Sequence, residues 1–421
     1  MEPSGKLSTT FVGVKMRSPL GIGTIYMPMG RDCTPEVHAK VLMKHVEAGA
    51  GYVATHFEYA AGDELKPAVP LPKSLGYRWR KVEGMNGLEL FKSIKAASSE
   101  EGLGFDYRRR ILEILKREVP ERVAIITSAR FSGSPEADVL TAKKMEEIGV
   151  DLIEFTLSCN YFLCTTGSVE KYLEKAENFV KLVLEEATAV VKAVHIPIGI
   201  KLTPGEIGYP RMLFLVRCLR DAGVKYIQVS NVGAAIAPPD IYNRGKSHFA
   251  YADEYPFSGV SGAPLRLECY KDVAAIRKFV PGIEIAAAGG FTKPEHAVEV
   301  MMLGANQVQF VTGLFFYGRK LLKRTTQFLE TFLEEQGYKN IGELVGLGLG
   351  HIRSADEVAL METIAEVDQT KCTGCGICTD HICIAMKEKK NGNAQVNHDL
   401  CFGCGLCVET CPSQAIRLLL R

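Results

Sequence analysis

Short apolar segments alternate with longer amphipathic ones from about residue 20 to residue 335, and this alternation restricts the fold more than any other feature. Each short segment is apolar at nearly every position, as strands of a parallel sheet are when both faces are covered. The eight segments are 19–24, 52–57, 123–128, 152–158, 197–203, 226–231, 284–290 and 307–313. Helical patterns lie between them and are expected after each strand, for example 36–48, 138–148, 169–194, 210–222, 264–279, 294–303 and 316–335. The pattern predicts an α/β fold, a (β/α)8 TIM barrel, with a doubly wound open sheet as the alternative.

The cysteines indicate a second, smaller domain at the C-terminal end. Eight of the 13 cysteines lie between Cys372 and Cys411. The first residues, MEPSGKLSTTF, contain no apolar segment of the signal-peptide kind, so a dense cysteine group favours metal binding over disulfides. We therefore predict a barrel over 1–335, a helical linker over 336–366 and a cysteine-rich domain over 367–421.

The spacing of these cysteines is typical of iron–sulfur proteins. The second run, Cys401-x2-Cys404-x2-Cys407-x3-Cys411-Pro412, has the bacterial ferredoxin spacing, whereas the first run has one extra residue before its fourth cysteine and no proline after it. In two-cluster ferredoxins the fourth cysteine of each run binds the other cluster. The predicted ligands are Cys372, Cys375, Cys378 and Cys411 for one [4Fe–4S] cluster, and Cys401, Cys404, Cys407 and Cys383 for the other. A pair of zinc knuckles is the alternative.

The ends of the predicted strands hold the candidate site, because barrel enzymes carry their chemistry there. Glycine-rich ends of the last two strands, each followed by a helix, are typical of a phosphate site built from backbone N–H groups. In a chain with iron–sulfur clusters, FMN is the natural phosphate-bearing cofactor, since it exchanges two electrons with a substrate and single electrons with a cluster. The residues at these ends are Gly23, Thr24, His56, Ser128, Ser158, Cys159, Lys201, Ser230, Asn231, Gly289, Gly290, Thr312 and Gly313.

A series of short motifs, in their order along the chain, resembles the dihydroorotate dehydrogenase family. Within it the chain looks most like the FMN- and ferredoxin-containing portion of dihydropyrimidine dehydrogenases, including the bacterial two-subunit type. The motifs are SPLGIG at 18–23, EFTLSC at 154–159, GIKLTP at 199–204, VSN at 229–231, SGVSG at 258–262 and AAGG at 287–290. The resemblance implies an FMN- and iron–sulfur-dependent oxidoreductase acting on a CH–CH or C=C bond.

The resemblance also implies roles for individual residues. Cys159 matches the family's catalytic cysteine, which exchanges a proton with the substrate, and Cys164 in the same loop is its rival. Lys201 matches the lysine that faces the flavin N1/O2 edge. The implied FMN-contacting residues are Gly23, Thr24, Ser128, Lys201, Asn231, Gly259, Ser261, Gly262, Gly289, Gly290, Thr312 and Gly313. The implied substrate-contacting residues are Asn86, Thr156, Ser158, Asn231 and Val232.

Four positions depart from the family pattern. His56 stands where members usually carry Lys, Thr156 where they carry Asn, Val232 where dihydropyrimidine dehydrogenases have Thr, and Asn160 where Pro follows the catalytic cysteine. Each lost partner of a pyrimidine amide would cost about 1–3 kcal/mol. The resemblance therefore supports FMN binding more strongly than it supports a pyrimidine substrate. His56 either replaces the lysine or acts as an acid itself.

Charge and hydropathy restrict the classes of partner that this chain is expected to bind. Lys and Arg number 50 against 49 Asp and Glu, which gives no electrostatic case for nucleic acid or an anionic membrane. No apolar stretch reaches about 18 residues, so we expect no membrane span and a cytoplasmic location. The expected electron partner is an NAD(P)- and FAD-binding subunit or a ferredoxin, and an oligomer is expected. Two other functions stay open: an electron-transfer or scaffold subunit, and a non-redox phosphate-binding barrel with an appended ferredoxin.

Overall fold

The chain divides into two compact units, residues 1–351 and 352–421. The computed structural model describes residues 5–24, 34–56, 77–92, 105–157, 169–254, 258–380 and 383–421. Within these residues no helix has the length and apolar character needed to cross a membrane. The division that we expect at 335 and 366 stays a prediction.

The strands and helices follow in chain order. The strands are β1 Thr9–Phe11, β2 Val14–Met16, β3 Leu20–Ile22, β4 Tyr52–His56, β5 Tyr77–Lys81, β6 Gly87–Lys92, β7 Ala124–Arg130, β8 Leu152–Thr156, β9 Ile198–Leu202, β10 Tyr226–Val229, β11 Gly233–Ala235, β12 Ser258–Gly262, β13 Glu284–Ala287, β14 Gln307–Phe310, β15 Thr363–Val367, β16 Met386–Glu388, β17 Ala394–Val396 and β18 Ile416–Leu420. The α-helices are α1 Pro35–Glu47, α2 Phe105–Glu118, α3 Pro135–Ile148, α4 Val169–Ala193, α5 Pro204–Ile207, α6 Tyr209–Asp221, α7 Arg266–Phe279, α8 Glu295–Met302, α9 Thr312–Tyr317, α10 Lys320–Glu335 and α11 Leu406–Glu409.

Eight parallel strands close into a barrel in the order β3-β4-β7-β8-β9-β10-β13-β14. The last strand pairs with the first, Phe310 opposite Ile22, so the TIM-barrel prediction is confirmed and the open sheet is excluded. All eight predicted segments form these strands. The sequence analysis missed α2 and the small antiparallel sheet β11-β12-β6-β5.

The barrel is closed at the amino-terminal ends of its strands by the β1–β2 hairpin. Phe11 is fully buried against Tyr226, with ring centroids 5.0 Å apart, and the Val12 N–H donates to Glu284 Oε1 at 2.9 Å. Two glycines make room for large rings on the neighbouring strands, since a Cβ on Gly21 would lie 2.5 Å from the Tyr52 ring and one on Gly199 2.1 Å from the Tyr226 ring. Because this end is filled, any ligand chemistry in the barrel belongs to the opposite end.

The second unit is built from two short antiparallel pairs, β15 with β18 and β16 with β17. The register places Ala365 opposite Leu418 and Met386 opposite Val396. Ala365, Met386, Val396 and Ile416 form its small buried core together with Cys378 and Ala394. So small a core is marginal by itself, and bound metal is a usual source of the missing stability.

Candidate active site at the barrel's carboxyl end

Lys201 is an inward-facing cation at the end of β9. Gly199 faces the barrel interior, because the Tyr226 ring occupies the space beside it, and the two-residue period of a strand puts Lys201 on the same side. Only 6% of Lys201 is exposed. In the ladder it lies between Thr156 of β8 and Gln228 of β10. A buried ammonium at this end favours a ligand that carries negative charge or electron-rich oxygen.

A carboxyl group that the sequence analysis missed lies in the same interior. Glu154 is fully buried on β8. Burial raises the pKa of its carboxyl, while the charge of Lys201 and the nearby polar side chains of Ser128 and Gln309 act to lower that pKa. The hydroxyls of Tyr52 and Tyr226 also lie in its field, since burial and then the Glu154 charge raise both phenol pKa values. Its signal in the sequence is a lone Glu in the apolar segment LIEFT.

Three glycine-containing segments that were predicted separately meet at one place, here named the glycine cradle: Ser261, Gly262, Gly290, Thr312 and Gly313. The Thr312 hydroxyl donates to Ser261 Oγ at 3.0 Å. A Cβ on Gly290 would lie 2.5 Å from the Gly262 carbonyl oxygen, and one on Gly313 would lie 2.3 Å from the Phe291 carbonyl oxygen. The backbones approach too closely here for any side chain, so their peptide groups are the atoms available to a ligand.

The small sheet β11-β12-β6-β5 carries two of the predicted site segments. Gly262 ends β12, and Asn86 lies in the turn before β6. The Ala263 N–H donates to the Asn86 carbonyl at 3.0 Å, and the Asn86 side-chain amide donates to the Tyr317 hydroxyl at 2.7 Å. Asn86 is therefore fixed beside the cradle.

The remaining strand-end residues surround the same opening. The Gly23 N–H donates to the Phe310 carbonyl at 3.2 Å, and the Ser230 hydroxyl donates to the Ala288 carbonyl at 3.1 Å, one residue before Gly289. Asn231 is half-buried, and a Cβ on Gly259 would lie 3.2 Å from Val232.

Two buried hydroxyl oxygens, Thr24 Oγ1 and Ser258 Oγ, have no hydrogen-bond partner within the described residues. Such atoms are suited to partners that a bound molecule supplies.

The structure describes only some of the residues that the sequence places at the catalytic and substrate positions. Cys159, Cys164 and Ser158 lie outside the described residues. His56 ends β4 with its backbone opposite Ser128, and Thr156 ends β8 with 6% of its surface exposed.

Candidate iron–sulfur sites in the second unit

The eight predicted ligand cysteines surround two cavities. The first is lined by four of them, Cys372, Cys375, Cys378 and Cys411. The second is lined by the other four, Cys383, Cys401, Cys404 and Cys407. Cys378 of the first group also borders it. No group of three or more His, Cys, Asp or Glu side chains in the described part of the chain is arranged to hold a single metal ion.

Thiol electrostatics reproduce the same grouping. Burial raises the pKa of Cys378, and the thiols of Cys372, Cys375 and Cys411 raise it further. Burial raises the pKa of Cys407, and Cys401, Cys404 and Cys383 add to that rise. Each run's fourth cysteine therefore lies with the other run's first three, as the spacing predicted. We name the two sets the Cys411 set and the Cys383 set.

Hydrogen bonds reach several of the sulfurs. The Ala394 N–H donates to Cys372 Sγ and the Ala365 N–H to Cys401 Sγ, both at 3.4 Å, and the Ala415 N–H donates to Cys411 Sγ at 3.3 Å. Burial acts to raise the pKa of Cys411, but hydrogen bonds with Ser413 and from the N–H groups of Ala415 and Ile416 outweigh it and lower the pKa. Donors of this kind stabilise thiolate ligands.

Comparisons with known proteins agree with this division. A family model described as dihydroorotate dehydrogenase matches residues 100–333, and one described as a 4Fe-4S binding domain matches residues 394–417. The second match spans the run that ends at Cys411.

Curated relatives cover most of the chain. The NAD-dependent dihydropyrimidine dehydrogenase subunit PreA of Escherichia coli K12 is 25% identical over 384 residues, 88% of this chain and 84% of its own. The catalytic subunit of dihydroorotate dehydrogenase B (NAD(+)) from Pyrococcus abyssi is 27% identical over 82% of this chain and 99% of its own. The ligand-free dihydroorotate dehydrogenase structure from Eimeria tenella superposes with a TM-score of 0.59 at 15% identity, over 82% of this chain and 93% of that one, a likeness of fold.

Proposed function

The chain belongs to the dihydroorotate dehydrogenase family, whose model matches more than half of it, and from this premise we propose that it is the FMN- and iron–sulfur-containing subunit of a dehydrogenase for a small cyclic substrate. The resemblance seen in the motifs is confirmed: the chain is an oxidoreductase that acts on CH–CH groups and carries a 4Fe-4S binding domain. The substrate, the number of clusters and the electron partner are the parts that we propose.

The observation that carries the proposal is that the glycine cradle and buried Lys201 lie at the same end of the barrel, where the strands end. Bare peptide groups in the cradle suit a phosphate, and the hydroxyls of Thr24 and Ser258, which have no partner among the described residues, suit a polar cofactor chain. FMN, when bound, supplies the exchange of two electrons with a C–C bond and of single electrons with the clusters. Lys201 then offers a buried positive charge to the electron-rich edge of the flavin.

Proton transfer is assigned to the loop after β8. Cys159 gives a proton to, or takes one from, the substrate carbon next to the one that exchanges hydride. Cys164 is the rival for this role, and His56 at the end of β4 is the third acid in the site. Thr156, Asn86, Asn231 and Val232 form the substrate's surroundings.

Departures from the family pattern favour a substrate related to a dihydropyrimidine but with fewer amide contacts. Thr156 and Val232 offer fewer hydrogen bonds than the Asn and Thr that they replace, and unpaired amides are costly to bury. We propose a partly saturated ring with a CH–CH bond next to a carbonyl group.

Electrons are relayed through two [4Fe–4S] clusters, one on the Cys411 set and one on the Cys383 set. The support is the pair of cavities, each of which is lined by all four thiols of its set. The relative named as a subunit of an NAD-dependent enzyme favours an NAD- and FAD-binding partner protein, with a ferredoxin as the alternative.

The test is anaerobic purification followed by cofactor analysis and turnover. We expect extractable FMN, about eight iron atoms with matching acid-labile sulfide per chain, and reduction of an unsaturated substrate by an artificial one-electron donor. A panel of uracil, orotate and their analogues lacking one amide, each reduced at the C=C bond by that donor, would rank the substrates.

Two outcomes would decide for the alternatives. Flavin and clusters without turnover on the whole panel would favour an electron-transfer or scaffold subunit. Protein without a flavin band, or with zinc in place of iron and sulfide, would reject the proposal.

A further inference from the structure

The iron–sulfur unit contains an internal repeat whose two halves are not equivalent. Residues 365–378 and 394–407 correspond, with Ala365 matching Ala394 and Cys372 matching Cys401. The halves exchange equal hydrogen bonds, because Ala394 N–H donates to Cys372 Sγ and Ala365 N–H donates to Cys401 Sγ, each at 3.4 Å. Up to the third cysteine, therefore, the two sets receive matched polar contacts.

The repeat breaks after the third cysteine of each run, since four residues precede Cys383 and three precede Cys411, and the connections that follow these two cysteines also differ. Cys411 is followed by Pro412, Ser413 and Gln414 before Ala415, whereas Cys383 is followed by Ile384 and then Ala385. The longer connection turns back on the sulfur: Ala415 N–H lies 3.3 Å and Ser413 Oγ 3.5 Å from Cys411 Sγ.

Both connections close the same turn, because Met386 N–H donates to the carbonyl of Cys383 at 3.2 Å and Gln414 N–H to the carbonyl of Cys411 at 3.1 Å. The contacts to the sulfur are the difference, and within the described residues the shorter connection adds none to Cys383 Sγ.

The side chains that line the two cavities also differ in polarity, and the more polar ones surround the Cys411 set. Thr373, Thr379 and Ser413 place hydroxyl-bearing side chains around the Cys411 set. Met386, Phe402 and Leu406 place apolar side chains around the Cys383 set. Donors to the cluster sulfurs and a more polar wall stabilise the reduced cluster, which carries one more negative charge, and so raise its reduction potential.

We propose that the two clusters have different reduction potentials, that the cluster on the Cys411 set has the higher one, and that the hydroxyl of Ser413 helps to set it. The first electron to enter, from a one-electron reductant such as dithionite, takes this cluster from the 2+ to the 1+ state and stays there, while the Cys383 cluster remains oxidised. This inference rests on the proposed pair of clusters.

The experiment is a potentiometric titration of the anaerobically purified full-length protein, followed by EPR. The EPR signals of the reduced clusters, followed separately from the flavin, should show two one-electron steps in wild-type protein. Ser413→Ala should lower the upper step by about tenfold in its equilibrium constant, about 59 mV for one electron, and leave the lower step unchanged. Ser413→Thr, which keeps the hydroxyl, should restore the upper step.

Thr410→Val is the matched control. Its hydroxyl is one residue from Cys411 but donates to the Leu406 carbonyl at 2.9 Å, so neither step should move. In Cys404→Ala, in which the Cys383 cluster does not assemble, the step that survives should be the upper one.

The inference and the function on which it rests fail differently. A single one-electron wave that contains both clusters, a surviving lower step in Cys404→Ala, or an equal shift of both steps in Ser413→Ala would overturn the assignment. Iron and sulfide analysis of the same samples tests the clusters themselves, since about four iron atoms in wild-type protein would reject the two-cluster proposal before any potential is measured.

Discussion

The iron–sulfur unit and the open end of the barrel both gather residues for a redox cofactor, but over very different lengths of chain. All eight predicted ligand cysteines lie within residues 372–411, and short turns bring them around their cavities. The predicted flavin contacts extend from Gly23 to Gly313, and they meet only because eight strands close into a barrel in one register. A cysteine spacing therefore specifies its site locally, whereas the barrel site depends on every strand, since a one-residue slip would turn each side chain to the other face.

The first prediction removes one member of the local site. Cys404→Ala should reduce the iron content from about eight to about four atoms per chain and abolish turnover driven by a one-electron donor. FMN should remain bound, because no cradle residue changes. Iron, sulfide and flavin analysis of the purified protein measures all three.

The control is Cys218→Ala, because Cys218 is a half-buried residue of α6 outside both cysteine sets. This variant should keep all iron. Loss of flavin together with iron in Cys404→Ala would contradict the independence of the two sites.

The second prediction concerns the catalytic assignment made from sequence. Cys159→Ala should keep FMN and all iron but lose about 10²–10⁴-fold in turnover, the contribution of one acid–base group. Cys159→Ser should keep a remnant with a higher pH optimum, because a hydroxyl releases its proton less readily than a thiol does.

The partner variant is Cys164→Ala, five residues further along the chain, which should be much milder. The reverse order would move the acid role to Cys164, and full activity in both variants would give it to His56 or to water.

The part of the structure that sequence could predict follows the same division. The barrel strands were readable because a doubly covered strand is apolar along its whole length, and the cysteine sets because their spacing is fixed by the cluster. The contact of Gly262 with Gly290 was not readable, since it joins segments whose approach depends on barrel closure. Glu154 was missed because a single charge in an apolar strand gives no periodic signal.

The third prediction tests the long-range site through the glycine cradle. Gly262 has φ +87° and a Cβ there would lie 2.4 Å from the Asn86 carbonyl oxygen, a backbone atom that cannot rotate away. Gly262→Ala should destabilise the protein by about 1–3 kcal/mol and weaken FMN binding, while iron content stays the same. Urea unfolding and fluorescence titration with FMN measure the two effects.

Gly350→Ala is the comparison variant, since a Cβ there meets nothing within 4 Å. Unchanged stability and FMN affinity in Gly262→Ala would mean that the segments do not meet as described.

The fourth prediction, which has the smallest expected effect, concerns Glu154 in the buried polar interior of the barrel. Because its carboxyl pKa is raised by burial, the folded state binds more protons than the unfolded state above the ordinary Glu value of 4.5. Stability should therefore fall as pH rises through the interval between that value and the raised one. Glu154→Gln removes this loss, so its unfolding midpoint in urea should depend less on pH than that of the wild type.

The groups that face Glu154 decide the sign of this result. Lys201, Ser128 and Gln309 favour the charged form, but burial outweighs them in the folded protein. Glu334→Gln, at an exposed position on α10, should leave the wild-type pH profile unchanged. If Glu154→Gln instead lost stability most at high pH, the attraction between the Glu154 carboxylate and Lys201 would outweigh the cost of burying the charge. Glu154 would then be a charged partner that holds the lysine in place, and the barrel site would contain a fixed buried ion pair rather than a lone cation.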